Sequence, residues 1–244
     1  NEIENNSIDL IYADPPYNLS GKVLNLEGNK TGGPFFKINE PWDTWDYDEY
    51  VSFTQGWIAQ CQKKLKENGS IYISCTHHSI GEIIIAAKRN GLKLNNILVW
   101  HKTNAMPNIT KRTFTHSIEF ICWFVNGAKW KFNYSNLKII NTEKTKLGAD
   151  KQMSDFIQMP ILQGNERIHN SYGRAIHPSQ KPEKLLEIIL IASSNENDLV
   201  LDPFFGTGTT GIVAERLKRN WIGIEKDESF IKVANERIIS KRLD

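Results

Sequence analysis

DLVLDPFFGTGTTGIVAERLKRNWIGIEKD (198–227) is the stretch on which the fold turns. Residues 198–202 read as a buried strand. Gly206-Thr207-Gly208 makes a tight turn into a helix over 209–218. A second strand over 220–225 ends in Glu225, and a last helix is expected over 227–241. Two strands joined by one helix form a right-handed parallel unit with the turn at its carboxyl end. The glycines let the backbone bend sharply and approach a ligand, and an acid at the tip of the next strand can accept hydrogen bonds from two ribose hydroxyls. Gly206, Gly208 and Gly211 satisfy the G-x-G-x-x-G spacing of dinucleotide sites. This unit alone leaves three readings open: an NAD site, a site for a nucleoside cofactor such as S-adenosylmethionine, and a turn with no ligand.

Upstream, the same alternation continues, which predicts an α/β sheet. SIDLIYA (7–13) reads as a buried strand. Tyr50, Phe53, Trp57, Ile58, Cys61 and Leu65 share one face of a helix over 47–66, which Asn68-Gly69 ends. IYISC (71–75) is the next strand. Ser79 with Glu82 makes a capping box for a helix that runs to Arg89 and closes at Gly91. Leu92–Trp100, Ser117–Val125 and Trp130–Tyr134 read as further strands, and residues 136–176 as polar and irregular. Pro182 suits the first turn of a helix over 183–193. Residues 18–46, with four glycines, read as a mobile loop. The chain opens at Asn1 without Met, in what reads as a helix end running into a strand, so natural sequence is expected to precede it.

Composition excludes several classes. A chain of 244 residues, 40% hydrophobic, can bury about 70% of its unfolded surface and has no need to be disordered. No apolar run approaches the ~18 residues of a membrane span, and no signal peptide is visible, so a soluble cytoplasmic protein is expected. Cys61, Cys75 and Cys122 are too few and too scattered for a disulfide framework or a zinc cluster. The net charge of +2 hides an uneven distribution. Residues 1–50 carry ten acids and three lysines, whereas 88–152 carry twelve bases and three acids. The basic block is either a phosphate-facing surface or a solvated lysine-rich face.

Asp14-Pro15-Pro16-Tyr17 follows a strand directly, at the end of the sheet where α/β proteins bind ligands. Its chemistry suits an exocyclic amine, whose lone pair is delocalised into the nucleobase. The Asp14 carboxylate and the Pro15 carbonyl can accept the two amine hydrogens and draw the nitrogen towards a tetrahedral shape. The prolines stiffen the carbonyl's orientation. Tyr17 offers a face on which an extruded base can stack. Nitrogen attack on a sulfonium methyl then needs only positioning and electrostatics.

DPPYN (14–18), LDPFFGTGTTG (201–211), HPSQKP (177–182), WHKTNAMPN (100–108) and FTHSIEFICWFV (114–125) together resemble the permuted, beta-group DNA amino-methyltransferases of bacterial restriction–modification systems. The resemblance spans the chain apart from 18–46 and 136–172. It implies a Rossmann-like α/β sheet with helices on both faces, a circularly permuted motif order and an inserted target-recognition region. The whole of 1–244 would be one catalytic domain: a catalytic half (1–100), a target-recognition region (101–176) and a methyl-donor half (177–244). It implies S-adenosylmethionine as donor, no metal, DNA as substrate, and as partners a homodimer mate and a cognate endonuclease. Members carrying DPPY mostly methylate adenine N6, which favours adenine over N4 of cytosine. Asp14, Pro15, Pro16 and Tyr17 would bind and activate the base. Asp202, Phe204, Gly206, Gly208, Thr209 and Thr210 would line the donor pocket, Glu225 would hold the ribose, and Lys181, supported by His177, would meet the donor carboxylate. The family's upstream Gly-Asp segment, which contacts the donor adenine, is missing. A looser likeness to a streptococcal methylase, in the KTN and FTHS stretches and in KQM (151–153), makes GATC a candidate target.

Lys102, Asn104, Lys111 and Arg112 are the candidate DNA contacts, each also readable as a phosphate contact or a plain surface residue. Trp100, Phe120, Trp123 and Phe124 read as core. Trp42 and Trp45 read as loop anchors in preference to a cover over the base. His77, His78, His101, His116 and His169 show no metal-ligand spacing. An NAD-dependent oxidoreductase would leave DPPY and the basic block unexplained. C5-cytosine chemistry is disfavoured because no cysteine follows a proline. A catalytically dead DNA-binding module remains a reading of another class.

Overall fold

Seven strands pair into one sheet in the order β5-β3-β4-β2-β1-β6-β7. They are β1 (Ile8–Ala13), β2 (Leu65–Cys75), β3 (Lys93–Lys102), β4 (Ile118–Val125), β5 (Phe156–Met159), β6 (Leu199–Asp202) and β7 (Asn220–Gly223). Only β4 runs antiparallel to its neighbours; β1 pairs in parallel with β2 and β6, β3 with β5, and β6 with β7. The helices are α1 (Tyr47–Lys64), α2 (Ile80–Arg89), α3 (Tyr134–Ile140), α4 (Glu183–Ser193), α5 (Thr209–Arg216) and α6 (Glu228–Leu243). The computed structural model describes residues 2–18, 43–108, 111–162, 164–169, 173, 175–176 and 179–243. Most of the expected loop 18–46 therefore lies outside the described residues, as do Trp42 and His177.

Both faces of the sheet are buried, which is why the central strands read as near-continuous apolar runs. Leu10, Tyr12, Tyr72, Ile121, Trp123 and Val200 point to one face, where α3, α4 and α5 cover them. Ile11, Ala13, Ile71, Ile73, Cys122, Phe124 and Leu201 point to the other, against α1 and α2. Polar tips inside the core are paired: the Tyr12 and Ser74 hydroxyls lie 2.8 Å apart, and those of Tyr72 and Ser193 2.7 Å apart. Burial pushes the Cys61 thiol up to about 12, and the contact with the Cys122 sulfur, added to burial, raises that of Cys75, so neither is a ready nucleophile.

Several expectations need correction. Asn68-Gly69 does not separate helix from strand. Helix α1 stops at Lys64, and β2 begins at once, with the register to β1 shifting between its first residue and Ser70. Asn68, at φ 66°, sits in that irregularity, held by backbone contact with Asn126. Residues 130–133 are not a strand. Asn133 donates from its amide to the carbonyls of Ile191 and Ser194, both at 2.9 Å, and this tether to the end of α4 sets the start of α3. The stretch 136–176 is not wholly irregular, since it holds most of α3 and all of β5. Ser79 stands at the N-cap of α2 without a capping hydrogen bond, and Glu82 instead accepts from the Tyr47 hydroxyl at 3.1 Å.

Gly208 caps α5 at φ 82°, and a Cβ there would lie 2.9 Å from the Ala234 Cβ of α6. Gly56, by contrast, is an exposed helical position in α1 where a Cβ would meet nothing within 4 Å. Gly208→Ala is therefore expected to lower stability by ~1–3 kcal/mol, and Gly56→Ala to raise it by ~0.5–1 kcal/mol. Urea midpoints at unchanged slope check both.

Candidate active site

The carboxyl ends of β1, β2, β6 and β7 share one edge of the sheet, and the amino end of antiparallel β4 reaches the same edge. Asp14 follows β1, Asp202 closes β6, and Glu119 is the second residue of β4. The edge thus gathers acidic groups from three distant parts of the chain.

Lys181 organises the first of them. Its Nζ donates to Asp14 Oδ2 at 2.6 Å and to the Ser179 carbonyl at 3.2 Å. It also lies 3.7 Å from Glu119 Oε2 and 5.3 Å from the centre of the Tyr17 ring. Glu119 Oε1 is held by Lys102 Nζ at 2.5 Å. The Tyr17 hydroxyl donates to Asp14 Oδ1 at 2.6 Å. The Lys181 side chain is only 5% exposed, and both acids 13%. Burial alone would lower the Lys181 ammonium, but Asp14 and Glu119 outweigh it and raise it. Burial likewise pushes the Glu119 carboxyl up, and Lys181 with Lys102 reverses this and holds it below the usual range. The Tyr17 phenol is raised well above its ordinary value by burial and the neighbouring carboxylates, so it stays a donor.

The glycine turn builds the second part. Asp202 is buried; its Oδ2 accepts from the Thr210 hydroxyl at 2.5 Å and its Oδ1 from the Phe204 N–H at 3.0 Å. Burial, only partly offset by those bonds, raises its carboxyl to about 7. Glu225 Oε2 accepts from the Gly206 N–H at 2.8 Å, and Oε1 from the amides of Lys226 and Asp227. Arg237, on α6, donates to the Thr207 carbonyl at 2.6 Å and clamps the turn from behind. The Phe205 ring fills the space that Cβ atoms would take at Gly211 and Gly223, and it stacks on Trp221 with ring centres 5.1 Å apart. Phe204 turns the other way, edge-on to Trp57 and Phe53, and Trp45 stacks on Phe53 at 4.8 Å.

The two parts open into one depression of about 320 Å³. Of the residues singled out from sequence, Asp14, Lys181, Asp202, Phe204, Gly206, Thr209 and Thr210 line it, beside Tyr12, Ser179, Gln180, Leu186, Phe205 and Thr207. Pro15 and Pro16 follow Asp14, and the Pro16 carbonyl accepts from the Tyr50 hydroxyl at 3.2 Å. The four candidate DNA contacts separate. Lys102 turns inward to Glu119. Asn104 spends both ends of its amide on the backbone of Ile161. Lys111 and Arg112 lie exposed ahead of β4. Among the described residues no group of three His, Cys, Asp or Glu is placed to hold a metal ion, and no helix is long and apolar enough to cross a membrane.

Glu119, Arg237 and Asn18 were not singled out from sequence. Asn18 accepts from the Trp45 N–H at 2.9 Å, while its own N–H donates to Asp43 at 2.7 Å. It ties residues 43–45 to the end of DPPYN. Only Glu119 left a signal, as an acid in an otherwise apolar strand; its ion-pair partner Lys102 lies on β3, two residues beyond Trp100, with which Glu119 is in register.

Residues 8–236 match the family model described as DNA methylase, of the N6 and N4 type. The chain belongs to this family. It is 39% identical to the type II methyltransferase M.HinfI of Haemophilus influenzae over 97% of its length, and spans 64% of that protein. It is 39% identical to the type II methyltransferase M2.MboI of Moraxella bovis over 96% of its length, spanning 81% of that protein. Among solved structures, the M1.HpyAVI–SAM complex superimposes with a TM-score of 0.66 at 28% identity, covering 95% of this chain and 88% of that one. The PvuII DNA methyltransferase, cytosine-N4-specific, gives 0.71 at 20% identity over 98% and 85%, a likeness of fold. In this member of the DNA methylase family, Asp14 of DPPY and Phe205, Gly206 and Thr207 of FGTG line the same depression.

The raised Asp202 carboxyl has a consequence for stability. The unfolded chain releases this proton near the ordinary carboxylate value of about 4, the folded protein near 7. Between those values the folded state binds more protons, so this group costs stability as pH rises from about 4 through about 7. Asp202→Asn keeps the acceptor for Phe204 and removes the titration. The stability difference, Asp202→Asn minus wild type, should grow with pH across that window and level off above it, as read by urea denaturation at each pH.

Proposed function

We propose that this protein transfers a methyl group from S-adenosylmethionine to the N6 amine of adenine in DNA. The observation that carries the reading is that Asp14, the first residue of DPPY, lines one depression with Lys181, Asp202 and Gly206 and Thr207 of the glycine turn. The residues present fit the donor. Two acids, Asp202 and Glu225, suit a cationic nucleoside with ribose hydroxyls, and the close-packed turn lets backbone approach it. When bound, the donor supplies an electrophilic methyl on a positively charged sulfur. Solved relatives named as SAM complexes support that choice. Adenine is favoured because DPPY carries Asp where N4-cytosine enzymes more often carry Ser.

In this reading the target base leaves the duplex and stacks on Tyr17, whose ring is fixed by the bond from its hydroxyl to Asp14. Asp14 and the Pro15 carbonyl accept the amine hydrogens and localise the lone pair on nitrogen. Lys181 and Tyr17 hold the carboxylate in one orientation, so little reorganisation is needed at reaction. We read 1–100 as the catalytic half, 101–176 as the target-recognition region and 177–244 as the donor half. We also propose a homodimer acting in the bacterial cytoplasm and, because both relatives are named type II methyltransferases, a cognate endonuclease beside it.

The test is transfer of labelled methyl from S-adenosylmethionine to unmethylated genomic DNA, with digestion to nucleosides and sequencing of the modified sites. N6-methyladenine is expected. N4-methylcytosine as sole product overturns the choice of base, and no transfer overturns the reaction. Asp14→Asn should lower turnover by about 100-fold or more with donor affinity within a few-fold, because the lost acceptor matters to the amine in the transition state. Glu225→Ala should instead weaken donor binding by ~1–3 kcal/mol, measured by calorimetry.

A further inference from the structure

Phe114 is 94% exposed, on the stretch that leads into β4. A single exposed apolar side chain is ordinary on a protein surface, so it is the setting of this ring that points to a partner. Its surroundings name the partner's chemistry. Lys111 and Arg112 stand exposed three and two residues before it, and His116 two residues after it. The His116 ring stacks on His77 at 5.2 Å with a 7° interplanar angle, and His77 contacts His78 at 3.9 Å. His77 and His78 follow the carboxyl end of β2, so this stack pins the stretch to the catalytic edge. The Lys102 N–H bond to the Ser117 carbonyl, 2.7 Å, pins it again beside β3. Five residues beyond Phe114, Glu119 reaches Lys181 and stands 3.5 Å from the Tyr17 hydroxyl. The phenyl group is therefore presented to solvent on a stretch that leads to the catalytic edge, with two cations just before it.

We propose that Phe114 is a wedge that enters the DNA base stack where the target base leaves it. The inference rests on the DNA-methylating reading and adds to it the residue that holds the duplex open. A flat apolar ring replaces the lost stacking, while Lys111 and Arg112 reach the flanking phosphates. The wedge is a positioning residue: it touches neighbouring bases and leaves the methyl transfer to Asp14.

The test uses the full chain and a duplex carrying the mapped target sequence, with 2-aminopurine at the target base for fluorescence and with adenine there for transfer. Binding of wild-type protein should raise the fluorescence as the base unstacks. Phe114→Ala should lose most of that rise and methylate the paired duplex about tenfold more slowly or worse. With the target mispaired, so that extrusion is easy, the variant should recover to within about threefold of wild type. Donor affinity and the salt slope of DNA binding should stay as in wild type, since no charge is removed. Equal losses on paired and mispaired duplex, or no loss on either, overturn the wedge. A changed sedimentation coefficient also overturns it, by showing that a second copy of the chain covers the ring. Wild-type protein that methylates no DNA overturns the underlying reading, and the wedge with it; a wild-type response that Phe114→Ala shares overturns the wedge alone.

Discussion

A buried ammonium holds this site together. Lys181 comes from the segment before α4, Asp14 from the end of β1, and Glu119 from the start of β4, with Lys102 of β3 closing the chain of charges. Two cations and two carboxylates make a neutral group, and neutrality is what allows it to lie so far from water. Removing one member would leave an uncompensated buried charge, at a cost of about 3–5 kcal/mol. The arrangement therefore does two things at once. It fixes the direction of the Asp14 carboxylate, and it locks the segment before the glycine turn onto the strand that bears the DPPY tetrapeptide. The mixed sheet is what makes this geometry available: because β4 runs against its neighbours, its amino end delivers Glu119 to the edge where the parallel strands deliver their carboxyl ends.

The second constraint is steric and lies under the glycine turn. Phe205 occupies the volume beside Gly211 and Gly223, and Ala234 of α6 closes on Gly208. Any side chain at those positions would displace a ring or a helix, so the turn's shape is set by packing from below while Arg237 fixes its Thr207 carbonyl from the side. Asp202 and Glu225 then bond to groups of the turn itself. Under the proposed function, a donor entering here would meet acids already oriented by backbone amides and one hydroxyl.

The sheet was largely legible because its strands are apolar on both faces and its βαβ unit announces itself by glycines and a terminal acid. What failed was local. Asn68-Gly69 has the chemistry of a turn, but Asn126 draws it into β2 as an irregularity. Trp130–Tyr134 has strand-like residues, yet the Asn133 tether to α4 starts a helix there. β5 is four residues long and gains its pairing only from β3, a partner far away in sequence. At the site, motif residues could be placed because their neighbours in sequence are also their neighbours in space. Glu119 and Arg237 could not, since each acts through a contact that exists only after folding.

Charge shows the same limit. Twelve bases between 88 and 152 suggest a broad positive surface, but folding assigns many of them elsewhere. Lys102 is buried against Glu119, and Lys131, Lys144 and Lys151 pair with Asp198, Asp150 and Glu143. Lys93 and Lys138 lie over the rings of Trp130 and Tyr134. Exposed pairs such as Lys144–Asp150 add little stability, but each neutralises a charge that a phosphate would otherwise meet. Lys111 and Arg112 make no ion pair among the described residues, and they are the two that flank the exposed ring ahead of β4. The unpaired positive surface is thus narrower than the sequence implies. Under the proposed function, a phosphate backbone drawn to Lys111 and Arg112 would bring its bases towards Asp14, whereas the same charge spread over the α3 face would hold the duplex away from it.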